Sequence, residues 1–356
     1  MLFKNLKDLS GNNYSFCLYN NRLIFDNFED EKIYHFGKET FVSPGWIDIH
    51  THCNPLNNFV SSKPDEIGFK TGVCLIMDAG SVGLDNLDEL FLIQKNWKTN
   101  IRSLLNISRL GIPGQYELNN LSDIKIDYDE KYQNFIMGYK ARISGSVVGN
   151  NGNKPLKIFK NLRKQKVNLP LMVHLGNQPP SFVEIIDELQ PGDVLTHVFS
   201  GKNDDLFCNA DFTPNFTKAI EKGLKVDIGH GTSSFDSVLF KNILLRQKNF
   251  KPDFISTDIY EGNIKSGVVK NLPTTMSKMH ALGMKWSDII DCVTVNPAQH
   301  FNLTGFGTIS DETKNLTFFQ IHKTSKLEID SKGQFIKLEE EVVPVAVILN
   351  GEFIEL

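Results

Sequence analysis

No apolar run in this sequence approaches the roughly 18 residues that a membrane-spanning helix requires. Its first residues, MLFKNLKDLSGNN, lack the apolar core of a secretory signal. Cysteine is sparse: Cys17, Cys53, Cys74, Cys208 and Cys292 are odd in number and nowhere spaced C-x-x-C. That pattern argues against a disulfide framework and for reduced thiols in a cytoplasmic protein. Neither sign of charge dominates. A formal net charge of -4 gives no reason to expect nucleic acid or an anionic membrane as partner. The expected partner is a small molecule, with a homo-oligomer left open. The chain also lacks internal repeats, low-complexity linkers and any G-x-G-x-x-G after an early strand, which disfavours a dinucleotide-binding open sheet.

What the chain does contain is an alternation of textures. Its 40% hydrophobic and 22% charged residues suit a soluble globular protein with a sizeable core. At 356 residues it is either two small domains or one large barrel with an appendage. The N-terminal stretch holds short strand-like runs, FCLYN and RLIF, broken by Asn and Asp clusters. From Phe41 onward short apolar runs alternate with amphipathic ones: VCLIMDAG then LDNLDELFLIQKNW; IRSLLNISR; FIMGYKARIS then PLKIFKNLRKQKV; LPLMVHLG then SFVEIIDELQ. The series continues with DVLTHVFSG, LKVDIGHG and FISTDIY, each followed by a helical pattern. With the opening strand this makes eight strand candidates. Eight strand-helix units over roughly 250 residues predict an α/β chain of the (β/α)8 TIM-barrel class. After WSDIIDCVTVNPAQHFNL the texture reverts to short strands, TFFQIH, LEID, FIKL and VPVAVILNGEF. The expectation is therefore a small β-sandwich domain built from residues 1–43 and 301–356, with the barrel, 44–300, inserted between them.

Residues 41–55, FVSPGWIDIHTHCNP, carry the first chemical signal. Read with period two, Trp46, Asp48, His50 and His52 share one strand face, and Ile47, Ile49 and Thr51 the other. Two imidazoles on one face at a strand end suit two ligands of one metal ion. Barrel active sites gather at the C-terminal ends of strands. The same alternation turns Ile136, Gly138, Lys140 and Arg142 inward on strand four, with Met137, Tyr139, Ala141 and Ile143 facing the outer helices. It turns His174, His197 and His230 inward on strands five, six and seven, and Ser256, Asp258 and Tyr260 on strand eight. Any one such histidine is commonly a satisfied polar residue. Several histidines, an aspartate and a lysine at one barrel mouth need a counter-ion or a metal, because unpaired buried charge is costly. His35, His280, His300 and His322 fall in helices or the terminal segments and are read as structural. Lys140 stands apart: an ammonium there would repel a divalent metal. It fits if burial neutralises it or if carbon dioxide converts it to a carbamate; the plain alternative pairs it with Asp258 or Asp48.

These residues resemble the amidohydrolase superfamily, over nearly the whole chain. GWIDIHTH on strand one, Lys140 on four, His174 on five, His197 on six and Asp258 on eight are similar to its binuclear, dihydroorotase-like group, and KARISGSVVGNNG, LMVHLGNQPP, THVFSG and DIGHGTSSF to the members classed as deacetylases. The resemblance implies two divalent metal ions, zinc in expectation, and carbon dioxide as a carbamate on Lys140. His50, His52 and Asp258 would hold the more buried ion, His174 and His197 the more exposed one, and Lys140 would bridge. It further implies hydrolysis of an acyl, in expectation acetyl, ester or amide of a small chiral acid. A metal-bridging hydroxide attacks, and Asp258 shuttles the proton. His230 and Arg142 are the candidate substrate-binding residues, Arg142 through paired donors to a carboxylate. Arg109 is a weaker candidate for that task, and the turn AGSVG, residues 79–83, either lines the pocket or merely closes a loop.

Two departures qualify the resemblance. Dihydroorotases carry an arginine two residues after the second histidine, and here that position is Asn54. The segment GTISDETKNLTFF also strays from the group's usual pattern, in the β domain rather than at the chemistry. The competing expectations are a cyclic amide hydrolase or a nucleobase deaminase on the same scaffold, and a non-catalytic scaffold protein. Lys140 counts against the deaminase and the filled ligand set against the scaffold.

Overall fold

The computed structural model describes residues 1–25, 32–57, 59–113, 117–164, 168–202 and 205–356. Its centre is a closed (β/α)8 TIM barrel. Seven parallel strands lie side by side in chain order: Trp46–Thr51, Val73–Ala79, Asn100–Asn106, Ile136–Ile143, Leu171–Leu175, Val194–Thr196 and Lys225–Val226. The eighth position is taken by the extended segment 254–259. It bridges strand seven at Asp227–Phe254 and strand one at Thr51–Ile259, both in parallel sense. Backbone bonds from Asp258 N–H to the His50 carbonyl (2.7 Å) and from His52 N–H to the Ile259 carbonyl (3.0 Å) seal the ring. The strands read as near-continuous apolar runs because both faces are covered. Val73–Ala79, VCLIMDA, is buried at every position.

Two apolar layers result. Ile47, Ile49, Leu75, Met77, Leu104, Met172 and Val194 fill the lower barrel interior, with Phe254 and Phe301 at its base. Ile76, Ile101, Tyr139, Ala141, Ile143, Val173 and Leu195 form the outer layer against the helices. Those helices begin where capping side chains stop the preceding loop. Ser181 and Glu184 form a reciprocal capping box before Phe182–Ile186, and the Asp236 carboxylate accepts from Leu239 N–H at the start of Ser237–Arg246. Between strands three and four the described residues hold only single 3-10 turns, Leu121–Asp123 and Glu130–Tyr132. The end of the pattern PLKIFKNLRKQKV, residues 165–167, lies outside the described residues.

The terminal segments pair with each other, as the shared texture predicts. They form one eight-stranded sheet in which Phe41–Pro44 lies between Leu2–Lys7 and Leu316–Lys323. The sheet folds over an aromatic core: Phe353 from its edge strand meets Phe3 at 5.2 Å and Tyr34 at 4.8 Å, ring centre to centre. The segments LEID and FIKL form a separate hairpin, Leu327–Ile329 with Phe335–Lys337. The five cysteines are unpaired, four of them buried and Cys208 exposed. Among the described residues no helix is long and apolar enough to cross a membrane.

Strict alternation fails at two places. Trp46 packs on Phe319 of the terminal sheet at 5.5 Å, while Ile47 and Ile49 point into the barrel, opposite to the period-two expectation. An irregularity in register between Asp48 and Thr51 then returns His50 to the interior. A second one, opposite Ser103 and Leu104, puts Met137 inside and Ile136 outside before Lys140 resumes the expected face. The extra residue of a bulge shifts every later side chain to the other face.

At the barrel base, away from the histidines, Arg163 and Asp193 make a buried paired contact at 2.8 and 3.0 Å. Asp193 also accepts from Leu171 N–H and Gln190 N–H, each at 2.9 Å, and so ties a helix to the starts of strands five and six. Removing one partner strands a buried charge, a loss of about 3–5 kcal/mol. Arg163→Met is expected to lower unfolding free energy by that amount in urea titration while leaving the metal content of the folded protein unchanged.

Candidate metal centre

The C-terminal ends of the barrel strands deliver the predicted residues to one place. His50 Nε2 lies 3.3 Å and His52 Nε2 3.0 Å from Asp258 Oδ1, and His197 Nε2 lies 4.0 Å from Asp258 Oδ2. Lys140 Nζ is 2.8 Å from His50 Nε2 and 3.4 Å from Met172 Sδ. The His174 and His197 rings meet edge to face with centres 4.3 Å apart. Six residues from five strands thus converge, separated in sequence by up to 208 positions between His50 and Asp258.

Local backbone makes this possible. His197 (φ 65°) and Asp258 (φ 54°) both adopt the left-handed conformation that side chains other than Gly, Asn and Asp rarely take. At Asp258 it is held by the bond to the His50 carbonyl and by Asn263 Nδ2, which donates to the Asp258 carbonyl at 2.6 Å. Gly80 (φ 81°) lets strand two approach Lys140. A Cβ there would stand 2.8 Å from both Cβ and Cγ of the lysine.

Electrostatics favour neutral imidazoles and a reactive amine. Burial, reinforced by Lys140 and the neighbouring rings, holds His50 well below the usual histidine range. Burial likewise holds His174 far down and takes His197 to about 4. Lys140 is 1% exposed, and burial brings its ammonium down to about 8 against the opposing pull of Asp258 and Asp227. Burial pushes the Asp258 carboxyl up, but the His52 hydrogen bond, with His197 and Lys140 close by, outweighs it and leaves it below its ordinary value.

The donor set fits a divalent cation. His50, His52 and Asp258 offer ligand atoms that all lie within 4.8 Å of one another. His197 Nε2 is buried with no hydrogen-bond partner among the described residues. Neutral imidazole nitrogens and a carboxylate facing one another are the ligand types that a divalent cation takes.

The remaining candidates are placed less directly. Arg142 donates to the fully buried Glu117 at 3.1 Å and remains a quarter exposed beside the cluster. His230 has both nitrogens engaged, Nδ1 with the Gly231 carbonyl at 3.0 Å and Nε2 with Lys278 Nζ at 3.3 Å. Burial takes it to about 3. Arg109 is bound instead to Asp123 and Asp85 in the outer loops. The turn AGSVG stands behind the site, with Ser81 Oγ 2.9 Å from His52 Nδ1. Asn54 is buried, with Oδ1 accepting from Leu56 N–H, and supplies no cation.

Alternation missed Thr196 and Asp227. Thr196 Oγ1 sits 3.0 Å from His50 Nδ1 and donates to Asp227 Oδ2 at 2.7 Å. With His230 inward, period two would turn Asp227 outward. Gly229 (φ 52°) breaks the pattern, because a Cβ there would lie 2.1 Å from Thr196 Oγ1. The signal in the sequence was the Asp-x-Gly-His spacing itself.

No family model matches the sequence. Over 325 residues the chain is 39% identical to a deacetylase of Enterococcus faecalis, covering 89% of this chain and 88% of that protein. The structure superposes on a crystal structure of an adenine deaminase with a TM-score of 0.94 at 35% identity, covering 100% and 99% of the two chains. A dihydroorotase superposes with a TM-score of 0.87 at 27% identity, covering 99% and 98%. The chain belongs to the amidohydrolase superfamily. As an amidohydrolase it is a hydrolase of a typically metal-dependent fold, and its relatives include a deacetylase of Brucella anthropi, 31% identical over 329 residues and covering 89% and 81%.

Lys140 packs so closely on Gly80 that the site has no room for one more carbon. Gly80→Ala is expected to fold with reduced stability and to lose most of its bound metal, measured by elemental analysis after purification in zinc. Retention of wild-type metal content would show that Lys140 tolerates displacement.

Proposed function

We propose that this amidohydrolase is a metal-dependent deacetylase that cleaves an acyl, principally acetyl, ester or amide bond of a small chiral acid. The observation that carries the proposal is the buried convergence of His50, His52, His174, His197 and Asp258 around Lys140. His50, His52 and Asp258 would hold one divalent ion and His174 and His197 a second. Lys140 would bridge them as a carbamate formed with carbon dioxide. When bound, such ions lower the pKa of water and polarise the carbonyl under attack.

The chain's own groups account for the rest. Lys140, with its pKa brought down to about 8, is neutral in roughly a tenth of molecules near pH 7, far more than an ordinary lysine, and that form's lone pair can attack carbon dioxide. Asp258, ionised in its surroundings, is the base that takes a proton from the attacking water and returns it to the leaving alcohol or amine. Arg142, oriented by Glu117, is the candidate for a substrate carboxylate. His230 would reach a substrate only by exchanging Lys278 for it. Asn54, in place of an arginine, disfavours a dihydroorotase-like substrate.

The similarity to an adenine deaminase supports a second reading, in which the same cluster acts on a nucleobase. The two separate cleanly in a screen of N-acetyl and O-acetyl acids of both hands alongside adenine and cyclic ureides. Stereoselective acetate release is the expected result; ammonia release from adenine as the dominant activity would overturn the deacetylase reading.

Metal analysis is expected to find about two zinc-like ions per chain, and zero or one would sink the binuclear arrangement. Lys140→Ala should lose metal and turnover, with partial recovery on addition of short carboxylic acids that replace the missing anion. Asp258→Asn should keep its circular dichroism spectrum while kcat falls by about 10²–10⁴, and an unchanged kcat would remove it as the proton carrier.

A further inference from the structure

Behind the histidines of strand one lies a second layer of groups. His50 Nδ1 is 3.0 Å from Thr196 Oγ1, whose hydroxyl is directed at Asp227 Oδ2, 2.7 Å away. Ser256 Oγ donates to the same carboxylate oxygen at 2.7 Å, and all four side chains are buried. A hydroxyl has one proton. If Thr196 gives its proton to Asp227, its oxygen can only accept from His50, so the imidazole proton sits on Nδ1 and the Nε2 lone pair faces the cluster. His197 reaches the same state by a shorter route, with Nδ1 2.5 Å from the Gly229 carbonyl. His52 is held differently: its Nδ1 is 2.9 Å from Ser81 Oγ, and its Nε2 is 3.0 Å from Asp258 Oδ1, which can only accept.

The geometry points to a hydroxyl–carboxylate relay, Thr196–Asp227 behind His50, that locks this imidazole in the tautomer presenting Nε2 to the site. The inference rests on the metal-centre reading for its purpose but not for its existence. The interposed hydroxyl fixes the ring's orientation and tautomer as a directly bonded carboxylate would. Thr196 and Asp227 are positioning residues, since neither touches the cluster's open face. The relay also explains why a fully buried aspartate is tolerated on strand seven. Asp227 carries two hydroxyl donors on one oxygen and lies close enough to Lys140 to feel its charge.

The test uses the full chain, labelled with ¹⁵N-histidine and stripped of metal, with Thr196→Val as the relay-breaking variant and Thr196→Ser as the conservative one. Imidazole ¹⁵N correlation spectra of the wild type are expected to show Nδ1 protonated and Nε2 bare at His50. Thr196→Val should change the pattern at His50 alone, with Thr196→Ser like the wild type. In parallel, zinc affinity measured by chelator competition should weaken about 10–100-fold in Thr196→Val and recover in Thr196→Ser. Protonated Nε2 at His50 in the wild type, or wild-type spectra and zinc affinity in Thr196→Val, would overturn the relay. A wild-type chain that bound no zinc would instead defeat the functional reading, and the tautomer spectra would still decide the relay.

Discussion

A lysine side chain with 1% of its surface exposed, its nitrogen 2.8 Å from an imidazole, sets the terms for everything around it. An ammonium in that position is expensive, because burial removes its hydration. The surroundings answer in three ways. Burial brings Lys140 toward the neutral amine, two aspartates at 227 and 258 partly oppose that shift, and the histidines remain neutral rather than adding charge. Closing the ring with segment 254–259 is what brings Asp258 within reach, since its N–H bonds the very residue, His50, whose ring it faces. Barrel closure therefore completes the site.

The relatives divide over chemistry while agreeing over architecture. A deacetylase at 39% identity and an adenine deaminase at 35% both align with most or all of the chain. The part of the molecule that must distinguish such substrates lies above the shared cluster, in the loops at the barrel mouth. There this chain offers Asn54 held by its own loop and Arg142 paired with Glu117. The terminal sheet stays behind the strands, packing on Trp46 through Phe319, and takes no direct part.

Much of this was legible in the linear sequence. The eight-fold alternation, the shared texture of the two ends, and His50, His52, Lys140, His174, His197 and Asp258 were all readable from residue type and spacing, because parallel barrels place their chemistry at strand ends. Face assignment was less secure. Ile47, Ile49, Met137 and Ile136 lie opposite to the period-two expectation, since a bulge adds one residue without any mark in composition. Asp227 was hidden for a related reason, the left-handed turn at Gly229.

The sequence by itself determined the barrel class and the identity of the groups that meet at its mouth, since these follow from patterns within single strands and loops. Only the tertiary structure decided which groups stand behind them. Thr196 meets His50 across 146 residues and Ser81 meets His52 across 29, contacts made by barrel closure and by left-handed backbone at His197 and Gly229. A local periodicity carries no record of such pairings, because the hydrogen bond that orients an imidazole depends on a partner contributed by a different strand.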